Sequence, residues 1–162
     1  MKDVLTVGLL SSVGPLAALI GMLLIGRSSD RSMERRRHFM FCCILCALGA
    51  LGAALTQGSI AASVASLAVL TIGQSSSTPI FFAALSDYLP KKTAAGGIAL
   101  VSSLGNLGPS VFPSIVTWLV ATTGAATMGL YLVVALWLLA GVILMTVVRP
   151  AARAMPMRTV AA

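Results

Sequence analysis

Five long apolar runs divide the chain, at residues 4–26, 39–56, 60–86, 94–121 and 125–148. None alternates apolar and polar positions with a period of two, so they read as helices and not as the strands of a barrel. At 1.5 Å of rise per residue, each run is long enough for a hydrocarbon core of about 30 Å. The pattern therefore predicts an all-α fold: a polytopic transmembrane bundle of about five helices over residues 1–148, followed by a short basic tail at 149–162. The first run is read as a span and not as a cleaved leader. Its apolar stretch is too long for one, and a charged loop follows it where a small-residue cleavage site would stand.

Composition agrees with the pattern. The hydrophobic fraction is 58% and the charged fraction 9%, whereas a soluble domain is about one quarter charged. A water-facing surface could not be built from so few charges, so the lipid bilayer is the expected surroundings. The net charge is +7, but it is not spread over a face. Ten of the eleven lysines and arginines fall in three segments, 27–38, 87–92 and the stretch after residue 148, and only Lys2 lies at the other end. The connections at 57–59 and 122–124 carry no charge. The positive-inside rule puts the charged segments in the cytoplasm, with the amino terminus outside and the carboxyl terminus inside. Such a bias also argues against dimers of opposed orientation. Without a continuous basic face or stacking aromatics, nucleic acid is not an expected partner.

Candidate enzyme chemistry is sparse. No nucleophile, base and acid are brought together, and the lone His38 sits among arginines, so no catalytic residues are expected. Cys42, Cys43 and Cys46 lie in an apolar run without His, Asp or Glu, so they read as small buried side chains, and no metal or other cofactor is expected. The fourth run carries Gly105, Gly108, Pro109 and Pro113 within about three turns, which predicts a kinked or softened helix. Polar residues at membrane depth are costly and mark cavities or helix contacts. Gln74, Ser77, Thr78 and Phe82 in the third run, and Ser102 and Asn106 in the fourth, are the candidates for lining a substrate cavity. No run contains Asp, Glu, Lys, Arg or His, so the chain carries no visible group for coupling to protons.

The most specific segment is Gly26-Arg-Ser-Ser-Asp-Arg-Ser-Met-Glu-Arg-Arg-Arg-His38. Read physically, it is a short loop of mixed charge pinned between two helices. Asp30 and Glu34 can pair with arginines or with helix ends. If the pairing differs between two arrangements of helices, the loop acts as a conformational lock, and Gly26, Arg27, Asp30, Arg31, Glu34, Arg35 and Arg36 are its candidate residues. Alternatively, the arginines only anchor topology.

The same segment resembles the signature loop of the major facilitator superfamily. In its longer form, with Gly26-Arg27, Ser29-Asp30-Arg31 and Glu34-Arg35-Arg36, it is similar to the second copy of that loop in the anion:cation symporter branch, which includes permeases for sugar acids, tartrate and aromatic acids. Pro79-Ile-Phe-Phe-Ala, Thr93-Ala-Ala-Gly-Gly-Ile-Ala99 and Ser103-Leu-Gly-Asn-Leu-Gly108 are similar to the tenth and eleventh helices of those permeases. The resemblance implies the C-terminal part of a major facilitator fold, helices eight to twelve, in a bacterial inner membrane. It also implies a small organic-anion substrate bound near the bilayer midplane between two six-helix halves. The branch commonly has Trp where Phe82 stands and Asn where Ser102 stands, and its coupling acids lie in the first half. The chain is accordingly expected to be a partial carrier, inactive alone or completed by the missing helices or a complementary chain. The other reading is a self-standing membrane protein with an assembly or scaffolding role.

Overall fold

The computed structural model describes residues 2–56, 58–90, 92–125 and 127–147. They form five helices: α1 (Lys2–Ser32), α2 (Arg35–Leu55), α3 (Ile60–Tyr88), α4 (Ala94–Thr123) and α5 (Thr127–Val147). All five are long and apolar enough to cross a membrane, and no strand occurs among the described residues. The basic tail at 149–162 lies outside them.

The joints follow local chemistry. Ser59 caps α3, its hydroxyl accepting from the Ala62 amide at 3.5 Å. Gly124 ends α4 in the left-handed conformation, φ 69°, and its amide donates to the Val120 carbonyl at 2.8 Å. Pro15, Pro79, Pro109 and Pro113 all sit inside helices that continue past them. The glycines and prolines of α4 therefore do not interrupt it.

One expectation needs correction. Residues 27–38 are not a loop. The segment is helical up to Ser32 and again from Arg35, so only Met33 and Glu34 join α1 to α2. Arginine is a good helix former, and the charges mark where the apolar run ends, not where the helix must stop. Met33 makes the break at φ 53°, and its amide still donates to the Ser29 carbonyl at 3.0 Å.

The helices do not pack in chain order. α3 lies against both α1 and α2, and α2 also packs on α5, while α1 and α2 scarcely touch. In lipid, association depends on close packing, so small residues mark the contacts. Gly49 faces Leu70, Gly52 faces Ser66, and Gly73 faces Cys42 and Cys46, an antiparallel seam between α2 and α3. Gly141 of α5 approaches Met40 and Cys43. The buried core gathers Phe39, Cys42, Cys43, Ile80 and Leu144, with Ile25, Phe81 and Trp137 against it. α4 has no buried residue; it rests lightly on α5 and α3, with Gly129 against Val116 and Gly97 against Leu89.

Candidate functional site

Two groups of polar side chains stand out from this apolar frame: a charged junction at one end of the bundle and a set of hydroxyls and amides within the helices.

At the junction, the first turn of α2 reaches across to the far ends of two other helices. The last four carbonyls of a helix lack partners within it and form the negative end of its dipole. Arg36 supplies such a partner. Its Nη2 donates to the Met145 carbonyl in the last turn of α5 at 2.7 Å and lies 3.8 Å from the Met145 sulfur. Arg35 points to the end of α3, its Nε 3.3 Å from Asp87 Oδ2. That contact is an ion pair without hydrogen-bond alignment, because the buried Nε has no hydrogen-bond partner. Glu34 pairs within its own turn, with Arg37 at 2.8 Å. His38 clips the two sides of the break: one ring nitrogen is 3.1 Å from Ser28 Oγ and the other 3.1 Å from the Glu34 carbonyl.

The seven candidate lock residues thus fall into two sets. Arg35 and Arg36 hold other helices, and Glu34 holds a neighbour. Arg27, Asp30 and Arg31 are exposed on the last turns of α1 and form no ion pair among the described residues. Gly26 has open space where a Cβ would stand, so packing does not require a glycine there. Asp87, Arg37, His38 and the Met145 carbonyl were missed by the sequence reading. Asp87 had a usable signal, as the one acid in a connection on the same charged side; a backbone carbonyl leaves none.

The two contacts at the junction differ in expected weight. Arg36→Gln leaves a carbonyl at the end of α5 without its charged donor, and hydrogen bonds to charged groups contribute about 1.5–3 kcal/mol. Asp87→Asn removes an ion pair whose carboxylate is half exposed, worth under about 1 kcal/mol. Unfolding of the detergent-solubilised protein should therefore shift more for Arg36→Gln than for Asp87→Asn. The reverse order would mean that Arg35 and Asp87 carry the junction.

Within the helices, the candidate cavity residues are placed differently from one another. On α3, Gln74 and Thr78 are exposed while Ser77 is buried, and the Ser77 hydroxyl donates to the Gln74 carbonyl at 2.7 Å. Thr78 Oγ1 lies 3.5 Å from the same carbonyl. Phe82 is half-buried and meets Phe81 edge to face at 5.6 Å. Ser76, not among the candidates, is buried with its hydroxyl unpartnered. On α4, Asn106 Nδ2 donates to the Ser102 carbonyl at 2.9 Å, which brings that pair together. Ser103, Asn106 and Ser110 are all exposed. Pro109 and Pro113 lack the amide protons that would have satisfied the carbonyls one turn earlier, so this stretch of helix also presents free acceptors. The α3 and α4 sets are not packed against one another, since no residue of α4 is buried.

Among the described residues, no group of three or more His, Cys, Asp or Glu could hold a metal ion. The arrangement offers hydrogen bonding and charge at helix ends, which suits binding and conformational control. The chain is 35% identical over 153 residues to a protein of Agrobacterium vitis named as a tartrate transporter, covering 94% of this chain and 34% of that protein. It is 32% identical to a protein of Pseudomonas putida named for metabolite transport, over 90% of this chain and 32% of the relative. It is 39% identical to a quinolone resistance transporter of Acinetobacter baumannii, over 77% of this chain and 29% of the relative. The chain thus spans about a third of the length of the curated relatives it matches. No solved structure matches it significantly. The family model of the Major Facilitator Superfamily matches residues 2–159, and with the five apolar helices and the charged junction this settles the family: the chain belongs to the major facilitator superfamily of membrane transporters.

Proposed function

We propose that the chain forms part of a carrier for small organic anions such as sugar acids and works together with the helices that complete the fold, on the same or another polypeptide. The observation that carries this reading is the uncovered polar stretch of α4, where Ser103, Asn106 and Ser110 stand exposed in an otherwise apolar helix. Hydroxyl and amide groups of this kind bond the hydroxyls and carboxylates of a sugar acid. Gln74, Thr78 and Phe82 of α3 are proposed as the opposite wall. The names of the relatives support an organic-anion substrate. The charge bias supports an inner-membrane orientation with the amino terminus outside. The five apolar runs hold no Asp, Glu, Lys, Arg or His, so proton coupling is assigned to the completing helices.

The test is uptake of labelled tartrate and sugar acids by cells lacking their own carriers. The chain is produced alone, or with the first seven helices of a complete relative, and co-purification reports assembly. Uptake is expected only from the assembled pair. Asn106→Ala should lower it about ten-fold, since a lost hydrogen bond to a charged ligand is worth on the order of 1.4 kcal/mol or more. Uptake by vesicles holding this chain alone, collapsed by an uncoupler, would refute the division of labour. Stable assembly with no carboxylate uptake would favour a scaffolding protein instead.

A further inference from the structure

α3 carries Gly73-Gln-Ser-Ser-Ser-Thr-Pro79 in the middle of its apolar run. Other hydroxyls of this helix bond its own backbone: Thr71 donates to the Leu67 carbonyl at 2.7 Å, Ser77 to the Gln74 carbonyl at 2.7 Å, and Ser86 to the Ala83 carbonyl at 2.9 Å. Ser76 does not. It is 1% exposed, and its hydroxyl oxygen is buried without a hydrogen-bond partner. Its direction follows from the residues one turn to either side. Ile72 lies against Gly21 of α1, and Ile80 belongs to the core with Phe39 and Cys42 of α2. Ser76 stands between them at helical spacing, so it faces the cleft between α1 and α2 on α3. Further helices added around the bundle could cover its outside, but they could not reach a side chain already sealed within it.

Pro79 is the second, independent observation. It sits inside the helix and has no amide proton, so the Ser75 carbonyl one turn back loses its helical donor. An unpaired hydroxyl and an unpaired carbonyl therefore fall in the same turn of α3. Either is costly at membrane depth, and a proline inside a spanning helix is tolerated where something else satisfies the freed group. One water molecule can donate to a carbonyl and exchange a second hydrogen bond with a hydroxyl. The residues nearby in sequence and packing are small: Gly73, Ser75 and Ser77 on α3, and Gly21 on α1.

We propose that this turn of α3 is a binding site for a single buried water, held by the Ser76 hydroxyl and the Ser75 carbonyl, which completes the hydrogen bonding around Pro79. The site lies wholly inside the contacts of α1, α2 and α3. It is independent of whether the chain transports anything and of which helices complete the fold.

Thermal unfolding of the detergent-solubilised chain gives the sign. With a water in place, Ser76→Ala takes away one of its two partners and should lower the midpoint by about 2–4 °C. An orphan hydroxyl would do the opposite, because its removal relieves a burial cost and raises the midpoint. Pro79→Ala returns an amide donor to the Ser75 carbonyl, so in that background the loss caused by Ser76→Ala should vanish. Radiolysis reads the water directly. Hydroxyl radicals formed from a bound water should oxidise Ile80, one turn from Ser76 and 3% exposed, in the folded chain, and Ser76→Ala should reduce that oxidation several-fold. A raised or unchanged midpoint for Ser76→Ala, an equal loss in the two backgrounds, or oxidation of Ile80 that does not depend on Ser76 would each overturn the proposal.

Discussion

Gly73→Leu is expected to separate α2 from α3 and to destabilise the bundle by about 3 kcal/mol, at the upper end of what overpacking costs. The reason lies in what surrounds the position. A Cβ at Gly73 would lie 2.7 Å from the Cys46 sulfur, 2.8 Å from the Cys42 carbonyl oxygen and 2.9 Å from the Cys46 amide nitrogen. Two of these three atoms are helix backbone and cannot swing aside, so α2 and α3 must move apart. That would undo the seam at Gly49 and Gly52 as well, because the same two helices make it. Gly105→Leu is the matched control. No heavy atom lies within 4 Å of a Cβ there, and leucine is the better helix former by somewhat under 1 kcal/mol, so stability should hold or rise slightly. Thermal unfolding in one detergent, followed by circular dichroism, reads both. Equal behaviour of the two variants would mean that the seam does not hold α2 and α3 together.

The seam also shows what the sequence could disclose. The number and type of elements were legible because a bilayer imposes a minimum apolar length, and each run met it. Neighbourhood was not legible. In water, an amphipathic face announces where a helix packs, but a helix surrounded by lipid is apolar all round. Gly49, Gly52 and Gly73 are visible as small residues in the sequence, yet which of them face one another emerges only when α2 and α3 are laid antiparallel. For the same reason the sequence did not reveal that α1 would pack on α3 and not on α2. Helix ends were blurred because charge marks the membrane boundary and not the end of hydrogen bonding, so α1 runs through Arg27, Asp30 and Arg31 to Ser32.

The candidate site was legible in chemistry more than in geometry. Helical spacing alone sets Gln74, Ser77 and Thr78 near one face. Successive residues on a helix are about 100° apart, so Ser77 and Thr78 fall on either side of the Gln74 direction. The structure buries the first and exposes the second. In the charged segment, the residue types were informative but the partners were not. Arg35 and Arg36 are adjacent in sequence yet hold the ends of two different helices, α3 and α5, which makes the start of α2 a bracket for the bundle. Movement of α3 against α5 would strain one of the two contacts. We propose that a conformational lock at this position would work through that strain, and so would rest on Arg35 and Arg36 more than on Arg27, Asp30 and Arg31.

Phe39→Ala is the second large effect expected, and it tests the point where four helices meet. Phe39 is buried among Cys42 and Cys43 of its own helix, Ile80 of α3 and Leu144 of α5, with Ile25 of α1 and Trp137 of α5 alongside. Its ring also lies 6.0 Å from that of Phe81. In a soluble core, Phe→Ala costs about 3–5 kcal/mol, part of it from lost transfer out of water and part from the cavity. In a bilayer the transfer part shrinks, because the side chain of the separated helix would rest in lipid. The cavity part remains: dispersion contacts to several helices are lost at once. About 3 kcal/mol is therefore expected, near the low end of the soluble range. Phe39→Leu should recover most of it, and Phe41→Ala, at a side chain 50% exposed on the same helix, should cost under about 1 kcal/mol. Unfolding midpoints of the three variants decide the matter. If Phe39→Ala behaves like Phe41→Ala, the four helices are not joined through this ring, and the glycine contacts together with Arg35 and Arg36 would have to hold them.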